Sequence, residues 1–282
     1  MTGSIDALER DIERFAATPS GETLHPDAGA AIETVLDALE RGDLRAARQE
    51  RGSWQAVPWV KRAILLAFRI SNVTELPMNT TFGFVDKQTM PPRRFTVADG
   101  VRLVPGGSAV RRGAHLARGV VCMPPMYVNV GAWVGTGTMI DSHALVGSCA
   151  QIGERVHLSA AAQIGGVLEP VNASPVVIED GVMVGGNCGV YEGTVVRQGA
   201  VLGAGVILTR GTPVYDLVNQ TVYRGTADRP LEIPENAVVV PGARRVSDAW
   251  GAEQGLALQT PVIVKYRDER TDIATTLERW LR

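Results

Sequence analysis

Residues 134–164 read VGTGTMIDSHALVGSCAQIGERVHLSAAAQI, and an aliphatic residue recurs in them at every sixth position. The same spacing begins at Val110 and, after an interruption, resumes two residues out of phase and continues to Val214. The apolar residues at these positions are Val110, Leu116, Cys122, Val128, Val134, Ile140, Val146, Ile152, Leu158, Ile164, Ile178, Val184, Val190, Val196, Leu202, Leu208 and Val214. A period of six fits neither a helix nor a simple strand. It is typical of a parallel β-helix built from hexapeptides.

A second regularity accompanies the first. Most of these apolar residues are followed, four positions later, by a small or β-branched residue such as Ala144 or Ala150, whereas Met126 and Leu168 depart from the rule. Several are followed directly by glycine, as at Gly135. We interpret the aliphatic residue as pointing inward, the small residue as fitting at a corner, and the glycine as allowing the backbone to bend.

Outside the repeat, the chain has the patterns of ordinary helices. Apolar residues at helical spacing predict helices over 5–17, from an N-cap at Asp27 to Gly42, and over Pro58–Ile70. Residues 71–100 contain Pro77, Pro91 and Pro92 and are predicted to be irregular.

The predicted fold is therefore mainly β, with three parts. An N-terminal helical domain covers residues 1–102, and the parallel β-helix covers 103–232. A small C-terminal segment of strands covers 233–282, with a last helix capped by Thr271. Residues 166–177 and 215–232 leave the six-residue rhythm, so both are predicted to be loops projecting from the coil, where binding sites are often found.

Composition narrows the class of protein. The net charge is −2, which argues against a nucleic-acid or polyanionic-membrane partner. No apolar run is as long as a membrane span, and the N-terminal segment MTGSIDALERDIERF has no signal-peptide core, so we expect a cytoplasmic protein. Cys122, Cys149 and Cys188 are predicted to be buried core residues without a disulfide.

Some apolar side chains should point away from the interior. Trp133, Met139 and Leu145 each precede an inward aliphatic residue by one position. Three coils packed side by side would bury them, so we expect a homotrimer. Scattered surface apolar residues that need no partner are the alternative.

The first candidate for chemistry is Asp141. It directly follows the inward Ile140 and should point toward a neighbouring coil, where an unused carboxylate is costly. As a general base it would take a proton from an amine that attacks a thioester. The alternative is a corner aspartate that only accepts backbone hydrogen bonds, and spacing does not decide between the two.

Two histidines are also candidates for a base, His143 and His157, although a structural or solvent-exposed histidine is more common. A metal site of three clustered histidines is not predicted, because the chain has only four histidines and they are not closely spaced.

Basic residues supply candidates for anion binding. Arg102 stands at the entrance to the coil and would hold a carboxylate through two parallel hydrogen bonds, with a solvated surface arginine as the alternative. Arg244, Arg245 and Lys265 lie beyond the coil and are weak candidates for contacting the phosphates of coenzyme A.

Several long stretches resemble one family over nearly the whole chain. IDSHALVGSCAQIGERVHLSAAAQIGGVLEP, NASPVVIEDGVMVGGN and YEGTVV in the coil, with LERGDLRAARQERGSWQAVPWVKRAILLAFRI before it, are similar to the 2,3,4,5-tetrahydropyridine-2,6-dicarboxylate N-succinyltransferases. These are succinyl-CoA-dependent enzymes of lysine and diaminopimelate biosynthesis that need no metal.

The resemblance implies a left-handed coil, a homotrimer, and active sites between adjacent coils that bind a small dicarboxylate and the coenzyme A thioester. The catalytic aspartate of the family falls on Asp141, and its substrate-binding arginine falls on Arg102. The succinyl group would pass directly to the amine of the opened ring, without a covalent enzyme intermediate.

This chain departs from the family at three positions near the expected site. Gly189 stands where a second catalytic glutamate is expected, Asn187 replaces an arginine and His143 replaces a tryptophan. Glu192 and His143 are hypothetical replacements for the missing carboxylate. The alternatives are therefore an acetyl-CoA-dependent transferase acting on the same acceptor or on an amino sugar, and a non-catalytic trimeric hexapeptide protein.

Overall fold

The structure is a computed structural model that describes residues 2–77 and 83–267, and side chains from residue 5 onward. The helix predicted after Thr271 lies outside the described residues. Within the described ranges, no helix is both long and apolar enough to cross a membrane.

Three helices form most of the N-terminal region: α1 (Thr2–Ala16), α2 (Ala28–Arg41) and α3 (Pro58–Ile70). Gly42 ends α2 in the left-handed conformation that a helix C-terminus favours, and Pro58 opens α3, as predicted. Asp27 is the N-cap residue of α2, as predicted, although its side chain makes no capping hydrogen bond.

Two hairpins accompany these helices. Ala47–Glu50 pairs with Ser53–Ala56 around a turn at Arg51 and Gly52. Val73–Pro77 pairs with Gly83–Lys87, within the segment predicted to be irregular. Val73 and Val85 in this second hairpin are 62% and 70% exposed, so the strands bury no regular apolar face that would have marked them in the sequence. A further 3-10 turn covers Val97–Asp99.

The repeat forms a coil with three flat faces, each a parallel sheet of two-residue strands. Face 1 contains Arg102–Leu103, Val121–Cys122, Met139–Ile140, His157–Leu158, Met183–Val184, Val201–Leu202 and the first residues of Ala237–Arg245. Face 2 contains Ala109–Val110, Tyr127–Val128, Leu145–Val146, Gln163–Ile164, Gly189–Val190 and Ile207–Leu208. Face 3 contains His115–Leu116, Trp133–Val134, Gln151–Ile152, Val177–Ile178, Val195–Val196 and Glu232–Ile233. The predicted fold, a left-handed parallel β-helix with N-terminal helices, is confirmed.

The second residue of each strand points into the coil. Met139 pairs with His157 and Ile140 with Leu158, so three hexapeptides complete one turn of the coil and bring like positions into register. The inward residues make one continuous core in which Ile140, Ile152 and Leu158 are completely buried. Burying each such side chain contributes about 1.5–3 kcal/mol, so the repeat stabilises the fold by many equal steps.

The glycines that follow the inward residues have a different role from the one predicted. The left-handed bend falls two residues later, where Gly137, His143 and Cys149 have φ of 70°, 63° and 64°. A Cβ atom at Gly135 would lie 2.6 Å from the carbonyl group of Gly153 on the next turn. These glycines are therefore required by the close approach of successive turns, and not by the bend.

Replacing Gly135 by alanine should destabilise the protein by about 1–3 kcal/mol, because the new methyl group overlaps backbone that cannot move aside. Gly211→Ala is the matched control, since a Cβ atom there meets nothing within 4 Å. Chemical unfolding of both variants measures the difference. Equal stability of the two variants would contradict the close-approach explanation.

The parallel pairing extends somewhat beyond the limits set from the sequence. Arg102–Leu103 already pairs with Val121–Cys122, and Glu232–Ile233 pairs with Val195–Val196. A long antiparallel hairpin, Ala237–Arg245 with Ala257–Tyr266, then continues face 1 beyond the coil, and a short helix, Ala249–Glu253, lies in its connection.

Both interruptions of the rhythm occur at the corner between faces 2 and 3. The first, after Gln163–Ile164, folds back onto α3, where the ammonium group of Lys61 donates to the carbonyl of Ala173 at 2.6 Å. The second contains a small hairpin, Val214–Asp216 with Thr221–Tyr223. Neither is a freely projecting loop, because both are held by hydrogen bonds to other elements.

The N-terminal domain covers face 3. The guanidinium group of Arg45 lies 4.2 Å from the centre of the Trp133 ring, which also stacks on His115 at 4.1 Å. Burial lowers the pKa of Arg45 to about 10. The interpretation of Trp133 as a contact to another coil is therefore wrong, because its own chain covers it. Met139 and Leu145 lie on faces 1 and 2, which this domain leaves open.

Candidate active site

Asp141 lies at the corner between faces 1 and 2. Its backbone belongs to the ladder, with its N–H donating to the carbonyl of Leu158 at 2.9 Å. Its carboxylate turns outward, with 31% of the side chain exposed, and Oδ1 accepts the N–H of Ser142 at 2.9 Å. The outward orientation of Asp141 that the spacing predicts therefore results from its place at a corner. One oxygen atom remains available for chemistry.

His157 is the titratable residue nearest to this carboxylate. Its Nε2 atom lies 3.9 Å from Oδ2 of Asp141. The two residues come together because His157 stands one turn above Met139 in the ladder of face 1. In the sequence, His157 is marked only by its separation of sixteen residues from Asp141. That separation predicts a contact only once the number of residues in one turn of the coil is known.

The two hypothetical replacements for a second carboxylate lie elsewhere. His143 occupies the same corner as Asp141 but its side chain is exposed, and only its backbone makes hydrogen bonds. Glu192 lies at the corner between faces 2 and 3, where its carboxylate accepts the N–H of Arg210 at 3.0 Å. Neither side chain forms a hydrogen bond or ion pair with Asp141 among the described residues.

The three departures from the family have local physical reasons. His143 and Asn187 adopt φ of 63° and 56°, a conformation that histidine and asparagine tolerate better than most residues. A Cβ atom at Gly189 would lie 2.5 Å from the ring of Tyr191, so this ring fills the space that a side chain at residue 189 would need.

Arg102 lies on the same face as Asp141. Its exposed side chain makes no hydrogen bond or ion pair within residues 5–77 and 83–267, so its guanidinium group is free to bind an anion. Two ladder steps separate the strand of Arg102 from that of Met139, next to Asp141, a distance of about 10 Å along the coil. A dicarboxylate of several carbon atoms spans such a distance.

The three basic residues beyond the coil do not form one cluster. Arg244 and Arg245 pair with Leu258 and Ala257, whereas Lys265 pairs with Val238 at the other end of the same hairpin. Seven residues of extended strand between Leu258 and Lys265 correspond to about 23 Å. One phosphate group cannot contact both ends.

The three cysteines are buried, as predicted, and no disulfide joins them. Burial raises the pKa of Cys122 and of Cys149 to about 12, and that of Cys188 to about 11. None of them is therefore an activated nucleophile at neutral pH.

At pH 8 the three thiols should stay protonated and unreactive toward a chromogenic disulfide reagent, because their pKa values lie far above this pH. Unfolding in guanidinium chloride should expose all three per chain. A thiol that reacts within seconds in the folded protein would contradict this assignment.

Comparisons with known proteins identify the family to which the chain is similar. The family description "Tetrahydrodipicolinate N-succinyltransferase N-terminal" matches residues 7–70, and "Hexapeptide repeat of succinyl-transferase" matches residues 175–210. Three similar proteins bear the name 2,3,4,5-tetrahydropyridine-2,6-dicarboxylate N-succinyltransferase. The protein of Rhodopseudomonas palustris is 43% identical over 89% of both chains. That of Bradyrhizobium diazoefficiens is 42% identical over 99% of both, and that of Nitrobacter hamburgensis is 41% identical over all of this chain and 96% of its own.

The hexapeptide repeat and these relatives define a hexapeptide-repeat acyltransferase. At this identity and coverage, the chain belongs to the 2,3,4,5-tetrahydropyridine-2,6-dicarboxylate N-succinyltransferase family, whose members act in lysine and diaminopimelate biosynthesis. The family inferred from the sequence is thereby confirmed.

Proposed function

We propose that this protein transfers the succinyl group of succinyl-CoA to the amine of ring-opened tetrahydrodipicolinate, with Asp141 as the general base. The observation that supports this is the Asp141 carboxylate, held by one backbone N–H and half-exposed on the same face as an unpaired Arg102. The names of the similar proteins support the acyl group and the acceptor.

The reaction is a direct transfer. The amine nitrogen attacks the thioester carbonyl carbon while its proton passes to Asp141. The C–S bond then breaks, and the leaving coenzyme A sulfur recovers a proton. The N–H groups of Ala160 and Gly186 lie at the same corner on the next two turns and donate no hydrogen bond among the described residues. One of them would stabilise the oxyanion.

Arg102 would orient the acceptor. Its planar guanidinium group would bind a carboxylate through two parallel hydrogen bonds, and no side chain in the described part of the chain pairs with it. The basic residues of the C-terminal hairpin would meet coenzyme A separately, with Arg244 and Arg245 at one end and Lys265 at the other. Because the acceptor and the donor belong to biosynthetic metabolism, the cytoplasm is the compartment that we propose.

We also propose a homotrimer with one site between each pair of coils. Faces 1 and 2 carry half-buried apolar residues such as Met139, Met183 and Leu145, while face 3 is already covered. Face 1 of one chain packed on face 2 of the next closes into a ring after three copies. Light scattering should give the mass of three chains, and the mass of one chain would contradict an intersubunit site.

The donor and the base are tested together in an assay of thiol release. Succinyl-CoA with an amino-dicarboxylate acceptor should release coenzyme A, while acetyl-CoA or an amino-sugar acceptor should do so much more slowly. Asp141→Asn should lower kcat by at least about 100-fold, since a positioned base contributes about 10²–10⁴ to the rate.

Asp180→Asn is the matched control. Asp180 is also a corner aspartate whose Oδ1 accepts a backbone N–H, that of Glu154 at 2.8 Å, but it lies between faces 3 and 1. It should keep normal activity. Full activity of Asp141→Asn would contradict the base assignment. Preference for acetyl-CoA would favour the acetyltransferase alternative, and no turnover with either donor would favour a non-catalytic trimer.

A further inference from the structure

The imidazole ring of His157 contains a buried nitrogen atom without a partner. Nε2 is inaccessible to solvent and forms no hydrogen bond among the described residues, although 43% of the side chain as a whole is exposed. Leaving a buried polar atom unpaired is unfavourable, so such an atom in a native structure calls for an explanation.

Among the described residues, the carboxylate of Asp141 is the charged group that lies within 4 Å of this nitrogen. The ladder of face 1 places His157 between Met139 and Met183, which offer apolar side chains on either side of the ring. Oδ2 of Asp141 lies 3.9 Å away, just outside hydrogen-bond range. A shift of about 0.7 Å brings the two atoms within 3.2 Å, and catalytic hydrogen bonds commonly tighten by such amounts when substrate binds.

The other oxygen atom of the carboxylate is already held. Oδ1 accepts the N–H of Ser142, so a bond from Nε2 to Oδ2 would fix the carboxylate at both oxygens. The strand of His157 is itself fixed, because its N–H donates to the carbonyl of Val182 at 3.0 Å. The imidazole is thus a rigid support for a side chain that otherwise has one tether.

We propose that His157 is a positioning residue for Asp141, whose Nε2–H donates to Oδ2 and aims the carboxylate at the amine of the acceptor. This inference rests on the proposed function, since it assigns Asp141 the role of base. Neither His143 nor Glu192 supplies this support, because neither side chain forms a hydrogen bond or ion pair with Asp141 among the described residues. A misplacement of about 1 Å costs as much as 100-fold in rate, which is the effect that the support prevents.

Three variants separate positioning from simple packing. His157→Gln places an amide N–H where Nε2 lies and should keep kcat within about fivefold of the normal value. His157→Asn carries its N–H at the position of Nδ1, and His157→Ala has none. Both should lower kcat by about 10–100-fold with KM changed less than about threefold.

The comparison of His157→Gln with His157→Asn decides whether the position of the N–H group matters. Equal kcat in the Gln and Asn variants, or normal kcat in His157→Ala, would overturn the proposal. His25→Asn, which alters a half-exposed histidine of the N-terminal domain and keeps an acceptor for the N–H of Asp27, serves as the control and should leave kcat unchanged. Circular dichroism and light scattering establish that each variant keeps the fold and assembly of the parent.

A second measurement does not depend on acyl transfer. Nitrogen NMR of histidine-labelled protein should show His157 as the Nε2–H tautomer, assigned by its loss in His157→Gln. Because an unpaired imidazole already favours this tautomer, the informative signal is the Nε2–H proton resonance, which a hydrogen bond to the Asp141 carboxylate shifts downfield. This downfield shift should be lost in Asp141→Ala, and an unchanged resonance there would overturn the pairing. If the pairing holds but no acyl donor is used, the proposed function fails and the contact between the two residues stands.

Discussion

The close stacking of successive turns is the constraint on which this structure depends. Backbone passes over backbone so tightly that a methyl group at Gly135 or Gly185 would overlap the next turn. The ladder between turns is equally regular, with Met139 and Ile140 lying directly beneath His157 and Leu158. Every residue therefore has a fixed height and a fixed face, and very little side-chain volume fits inside. Aliphatic residues occupy the interior because larger rings would force the turns apart.

The same regularity decides which side chains lie together at the candidate site. A residue that follows an inward position must leave the coil at a corner, which is why the carboxylate of Asp141 reaches solvent. The residue one turn after Met139 returns to the same place on face 1, which brings His157 beside Asp141. Arg102 stands on face 1 as well, two ladder steps below Met139. The candidate site therefore combines side chains of face 1 with the corner that carries Asp141, and its residues are far apart in the chain.

Much of this fold could be predicted because a period of six has few structural solutions. The inward residues, the outward aspartate and the helices bounded by Gly42 and Pro58 all follow from local pattern. The hairpin of Val73–Pro77 with Gly83–Lys87 could not be predicted, since its strands bury no residue and their Val73 and Val85 are exposed. The prediction that Trp133 contacts a neighbouring coil is wrong for a related reason. Spacing gives the direction of a side chain, but not the identity of the element that covers it.

The site was only partly predictable, and the reason lies in the packing of its neighbours. A single family resemblance marked Gly189 as a missing carboxylate and left open what replaces it. The structure shows that the Tyr191 ring occupies the volume above Gly189, so no small rotation of a nearby acid could restore a carboxylate there. Neither His143 nor Glu192 bonds to Asp141 among the described residues, since the side chain of His143 is exposed and Glu192 binds the backbone at another corner.

Without a carboxylate at residue 189, a single carboxylate, that of Asp141, has to be sufficient for the proposed proton transfer. A base with one tether samples several orientations, and only some of them face the attacking amine. A second carboxylate is not the only remedy, because a rigid donor on the adjacent strand restricts the same rotation. In the proposed arrangement His157 is such a donor, and the fixed height of each turn places it beside Asp141 without any change of backbone. The loss of an acidic side chain at residue 189 is therefore compatible with an intact base, provided that the support beside Asp141 remains.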